Sequence, residues 1–239
     1  MRRNRPILVS FSGIDGAGKS TQIDALCGFL RSRGFRWELY RFWDDVVAFR
    51  GLRENCSIRV FKGDKGIGSP EWPIERRDKN VTAWPVVLFR LFIYLADVLC
   101  LSFLWFRTSE ATTDFVIFDR YIYDEWANLP LQHWWTRLYI RMVSRLVPRP
   151  DAAIVLDADS LLANRRKPEY PLDFVERNRE AYLRLAGSVG MTIIPPGSVG
   201  ETAEFVRNEV FGVPRSGKPS AVLSDTFSDL PQVNPTRQG

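Results

Sequence analysis

Four short runs of apolar residues, at 7–11, 115–118, 152–156 and 191–194, are each too short for a helix and read as buried strands. A fifth segment, 35–40, alternates and also reads as a strand. Between them apolar positions recur every three or four residues. From 19 to 33, Ile23, Leu26, Cys27 and Leu30 fall on one helical face, and Gly34 follows as a C-terminal cap. Residues 84–106 form a long apolar helix. Residues 131–147 place Trp134, Leu138, Met142 and Leu146 on one side and arginines elsewhere. Further helices are predicted at 160–166, 173–186 and 201–210. Uniformly apolar strands alternating with helices predict an α/β fold with a parallel sheet covered on both faces. Ligands in such sheets bind beyond the carboxyl ends of the strands.

Two segments break the pattern. Residues 50–83 are polar and rich in Gly and Pro, and predict a long irregular insertion. Residues 213–239 carry Pro, Ser, Gly and Asn with few large apolar side chains, and predict a disordered tail. The remainder, 1–212, reads as one domain; no internal repeat is visible.

Composition narrows the chemistry. Of 239 residues, 45% are hydrophobic and 26% charged, ordinary for a globular chain. The net charge of +5 favours an anionic partner. It is too small for a broad nucleic-acid footprint, so no nucleic-acid partner is expected. Cys27, Cys56 and Cys100 are unpatterned, and His133 is the single histidine, which excludes a multi-histidine metal centre.

The basic start at residues 1–6 is followed by too short an apolar run for a signal peptide, which predicts a cytoplasmic protein. Residues 84–106 are long enough to span a membrane. Arg90 and Asp97 within them favour a buried helix of a soluble enzyme, so membrane association is not expected. The Trp134–Trp135 helix with Arg137, Arg141 and Arg145 admits a membrane-surface reading, but a place in the core or in a dimer interface is preferred.

The most specific motif is Gly13-Ile14-Asp15-Gly16-Ala17-Gly18-Lys19-Ser20, followed by Thr21. It matches G-x-x-x-x-G-K-S between a predicted strand and a predicted helix. Glycines there let successive backbone N–H groups turn toward phosphate oxygens, and the helix N-terminus adds positive potential. Lys19 reaches the outer phosphates, and the Ser20 hydroxyl ligates Mg²⁺. These residues are candidate ATP ligands.

With Asp15 in this loop and Asp119-Arg120-Tyr121 after the third strand, the chain resembles thymidylate kinases, a family of P-loop nucleoside monophosphate kinases. Leu95-Ala96-Asp97, the strand ending at Asp157 and the helix from Phe174 to Ala186 fit in the same order. The resemblance implies a five-stranded parallel core with an arginine-bearing lid at about 160–175, and a homodimer, which thymidylate kinases commonly form. It implies transfer of the ATP γ-phosphoryl group, with Mg²⁺, to a nucleoside monophosphate, most directly dTMP. It further implies that Asp15 contacts the acceptor sugar, that Arg41 and Arg120 grip the acceptor phosphate, and that Asp119 acts on Mg²⁺. Tyr94 would stack on the base near Val98, and Arg165 and Arg166 would neutralise the transferring group. From the residues alone, Arg165-Arg166-Lys167 is equally a solvated run, Tyr94 a core aromatic, and Asp44 and Asp45 either surface charges or acceptor-side groups.

The acceptor side departs from the family pattern. Phe42-Trp43-Asp44-Asp45 replaces Glu-Pro-Gly, Val98 stands where an arginine is usual, and Asp124 replaces a serine. A same-fold kinase with another acceptor (a nucleoside or another small phosphorylated metabolite) and a membrane-associated nucleotide-binding protein are the alternatives.

Overall fold

The computed structural model describes residues 5–48, 84–109 and 113–212. The insertion expected at 50–83 and the tail expected at 213–239 lie outside the described residues. Strands β1 (Ile7–Ser12), β2 (Trp37–Arg41), β3 (Phe115–Asp119), β4 (Ala152–Leu156) and β5 (Thr192–Ile194) form one sheet in the order β2-β3-β1-β4-β5. Every pairing is parallel. The helices are α1 (Lys19–Ser32), α2 (Trp84–Ser109), α3 (Ile122–Trp126), α4 (Trp134–Val143), α5 (Ser160–Arg166), α6 (Leu172–Val189) and α7 (Val199–Gly212). A π-helical turn at Phe42–Val46 follows β2. The strand pattern did not announce this turn or the short α3.

The strands are apolar on both sides because both faces are covered. Val9, Phe11, Phe115, Ile117 and Ile154 pack against Ile23, Leu26 and Leu30 of α1 and Val206 of α7. Leu8, Val116, Phe118 and Val155 face the other way, into a core shared with Val98 and Leu101 of α2, Trp126 of α3, Ile140 of α4 and Leu185 of α6. Each such side chain, fully buried, contributes roughly 1.5–3 kcal/mol. The helix ends follow simple chemistry. Gly34 and Gly190 take left-handed backbone just past α1 and α6, and the Asp159 carboxylate accepts the Leu162 N–H at the start of α5.

One helix differs from expectation. The long helix is not buried along its length: only 33% of its stretch Val87–Thr108 lies inside, although the stretch is long and apolar enough to cross a membrane. Ile93, Tyr94, Asp97, Val98 and Leu101 face the core, while Leu88, Phe92, Leu99, Phe103 and Phe106 face out. A single sheet can cover only one side of a helix that is apolar nearly all round. The charge at Asp97 is accommodated inside, where its carboxylate accepts the Ala48 N–H at 2.7 Å. On α4 the apolar stripe of Trp134, Leu138 and Met142, continued by Leu146, is the outer face, and Thr136, Ile140 and Val143 are the buried one. The Tyr139 hydroxyl donates to the Leu91 carbonyl at 2.7 Å and ties α4 to α2.

Candidate active site at the carboxyl ends of the strands

Strand register brings the candidate residues together. Phe11, near the end of the central strand β1, lies beside Asp119 of β3 and Ile154 of β4, and Asp119 lies beside Arg41 of β2. The loop leaving β1 runs through three glycines with positive φ, Gly13, Gly16 and Gly18. At Gly16 a side chain has no room: a Cβ there would sit 2.2 Å from the Ala163 carbonyl of α5. The loop is thus pressed against α5 and delivers Lys19 as the first residue of α1.

Lys19 is buried, and its ammonium donates to the carbonyls of Gly13 and Ile14, both at 2.8 Å. Burial and then the neighbouring Arg120 cation lower its pKa to about 8, against the pull of Asp15, Asp124 and Asp119. Arg120 is the non-glycine residue with positive φ, 67°, among the described residues. Its guanidinium donates to Asp15 and, at 3.4 Å, to Asp124. Burial acts to lower its pKa, but Asp15 and Asp124 among its neighbours outweigh this and hold it above the ordinary arginine value.

These groups surround a cavity of about 760 Å³. Of the candidate residues, Asp15, Gly16, Ala17, Gly18, Lys19, Ser20, Thr21, Asp119, Arg120 and Arg166 line it. Gly13 is not part of the lining; a Cβ there would sit 2.6 Å from the Leu156 carbonyl. The other candidates are not gathered there. Arg41 is exposed beside Asp119, its backbone N–H held by the Asp45 carboxylate at 2.7 Å. Arg165 is exposed on α5 and is not part of the wall. Tyr94 and Val98 are 4% and 0% exposed in the apolar core. An arginine at position 98 would therefore bury a charge: Val98→Arg is expected to destabilise the fold by more than about 3 kcal/mol, read by thermal unfolding.

Several wall residues escaped the motif reading. Lys167, third in the basic run, lies 4.0 Å from Asp15 and 3.2 Å from Glu169. Asp157, at the end of β4, lines the cavity and holds Arg179 of α6 through two hydrogen bonds of 2.6 and 2.7 Å. The rule that ligands sit beyond strand ends pointed to Asp157; nothing local pointed to Arg179. Asp124 and Tyr182 stand behind Arg120, joined by a 2.7 Å hydrogen bond.

The arrangement can bind an anion. It presents loop N–H groups, a helix N-terminus and the cations of Lys19, Arg120, Arg166 and Lys167 around one cavity. Among the described residues no cluster of three or more metal-ligating side chains is present. The Ser20 hydroxyl and the Asp119 carboxylate line the same cavity. That donor set fits Mg²⁺, which takes one or two protein oxygens and fills its octahedron with phosphate and water.

No family model matches the chain. A probable thymidylate kinase of Archaeoglobus fulgidus is 22% identical over 213 residues, covering 85% of this chain and 94% of that protein. A probable thymidylate kinase of Pyrobaculum aerophilum is 32% identical over 88 residues, covering 31% of this chain and 45% of that one. Among solved structures, a thymidylate kinase of Ehrlichia chaffeensis superposes with a TM-score of 0.51 at 19% identity, covering 85% of this chain and 98% of that one. The fold is the α/β fold of P-loop kinases, and both in sequence and in fold this chain resembles the thymidylate kinases.

Proposed function

We propose that the chain is an ATP-dependent kinase that transfers the γ-phosphoryl group to a nucleoside monophosphate, dTMP to dTDP before others. The observation that carries this reading is the single cavity in which the Gly13–Thr21 loop, Asp119 and Arg120 meet. The backbone N–H groups of the loop and Lys19 bind the donor phosphates. Ser20 and Asp119 would hold Mg²⁺, which supplies positive charge to the donor phosphates when bound. Arg120 and Asp15, paired with each other beside Lys19, receive the acceptor phosphate and sugar. Residues 160–175 form the lid of a domain extending to residue 212, and Arg166 from α5 neutralises charge on the transferring group. Positioning and electrostatics carry such a reaction, and an acceptor phosphate needs no strong base. That fits a site without histidine. We place the enzyme in the cytoplasm.

The acceptor side motivates a second reading, in which another small molecule takes the phosphoryl group. Tyr94 and Val98 are core residues, and a π-helical turn occupies the place of the family's Glu-Pro-Gly. One assay separates the two: MgATP against a panel of nucleoside monophosphates and nucleosides. Best turnover with dTMP supports the first reading. Best turnover with another acceptor supports the second. Lack of turnover on the whole panel rejects the nucleotide acceptor.

The apolar stripes of α2 and α4 expose Phe92, Leu99, Phe103, Trp134, Leu138 and Met142. Exposed apolar surface of this extent marks an interaction face. We assign it to a second copy of the chain, the homodimer that the family resemblance implies. Light scattering is expected to give a dimer, and Phe103→Glu a monomer. A wild-type monomer would refute the assignment, and recovery only with detergent would point to a membrane.

A further inference from the structure

Asp124 is a carboxylate where a helix cap would suffice. It is 5% exposed, and its oxygens accept from four donors on three parts of the fold. Oδ2 takes the Ser12 hydroxyl of β1 at 2.6 Å and the Tyr121 N–H at the start of α3 at 3.0 Å. Oδ1 takes the Tyr182 hydroxyl of α6 at 2.7 Å and the Arg120 guanidinium at 3.4 Å. A serine or asparagine would cap α3 as well. A buried charge is retained at a cost unless it is fully paired, and here it is.

What the charge adds is a grip on Arg120. That residue holds left-handed backbone, which disfavours any side chain with a Cβ. Its N–H is fixed to the Phe11 carbonyl at 2.9 Å. Its guanidinium lies between Asp15, which lines the cavity, and Asp124, which does not. An incoming anion would compete with Asp15 for one edge of the guanidinium while Asp124 keeps the other. Burial, followed by the Asp124 carboxylate, raises the Tyr182 pKa well above the ordinary phenol value, so Tyr182 remains a donor to Asp124 throughout the working pH range.

We propose that Asp124, buttressed by Tyr182 and Ser12, is a positioning residue that aims Arg120 at the acceptor phosphate. Asp124 acts through Arg120 and does not touch substrate. The proposal rests on the kinase reading for its kinetic consequence, and on geometry alone for its structural one.

The test is Asp124→Asn, with Tyr182→Phe as a milder variant that leaves the carboxylate in place. Asp124→Asn is expected to raise the acceptor KM at least about tenfold while the ATP KM moves less than about twofold; Tyr182→Phe moves the acceptor KM in the same direction by about threefold. In an Arg120→Lys background Asp124→Asn should have no further effect on the acceptor KM, because the two act as one unit. Equal losses in both KM values, or additive losses in the double variant, would overturn the proposal. A second readout does not depend on turnover. Hydrogen exchange at the Arg120 amide should accelerate in Asp124→Asn, and an unchanged rate overturns the clamp. Faster exchange in Asp124→Asn, together with a wild-type protein that turns over no acceptor, would leave the clamp standing and reject the kinase reading instead.

Discussion

Lys19→Ala is expected to lower phosphoryl transfer by about 10³-fold or more, the scale on which a preorganised charge at a reacting phosphate acts. The ammonium sits under the loop, bonded to Gly13 and Ile14, and nothing else in the wall shares its position at the head of α1. The loss should fall mainly on kcat, with nucleotide binding weakened less, because the loop N–H groups remain. Thermal stability should not fall with it. The Lys19 pKa is lowered in the folded chain to about 8 from 10.5. Between those values the unfolded chain holds the extra proton, so wild-type stability rises with pH across this window; below about 8 the burial penalty is present in full. Lys19→Ala should remove that rise and leave stability at neutral pH equal or higher. The same shift predicts proton uptake. Donor phosphates favour the charged lysine, so ATP binding at pH 8 should take up as much as about half a proton, measured by calorimetry in buffers of different ionisation heat. ATP binding without proton uptake at pH 8 would remove Lys19 from the phosphate site.

Gly16→Ala should be the most damaging methyl group that can be added to the loop. The new Cβ would lie 2.2 Å from the Ala163 carbonyl and 2.9 Å from its carbon, both backbone atoms of α5 that cannot rotate away. The φ of 83° adds strain. Together these are expected to cost about 3 kcal/mol of stability and to displace α5, which carries Arg166, from the loop. ATP affinity should drop by about tenfold or more as a result. Gly18→Ala is the internal comparison. Its φ of 91° is equally unfavourable, but nothing lies within 4 Å of the added Cβ. It should lose only about 1 kcal/mol. Thermal unfolding and ATP titration of the two variants check this. Equal losses at both positions would mean that backbone strain, and not the contact with α5, sets the effect.

The legible and illegible parts of this protein divide along a physical line. The five strands and the order of the helices could be read because each rests on a pattern within about ten residues, and the phosphate loop because its glycine spacing acts locally. Asp15, Lys19, Ser20, Asp119 and Arg120 followed from that loop and from the strand ends. Tyr94 and Val98 could not be placed by the same means: a helix apolar nearly all round gives no sign of which side the core will take. The outer stripe of α4 was left open between core and dimer interface for the same reason, since Trp134, Leu138 and Met142 are more apolar than the Thr136 that is buried in their stead. The network under Arg120 was invisible because it is long-range. Ser12 and Tyr182 lie 112 and 58 positions from Asp124 along the chain, and only the parallel crossovers bring them within 2.7 Å of it. By itself the sequence determined the strand order in the chain, the anion-binding loop and the kind of chemistry it can hold, because hydrophobic period and glycine placement are local properties. The tertiary structure alone decided which face of each helix is inside, which basic residues reach the cavity, and what holds Arg120 in place, because those depend on where separate segments meet.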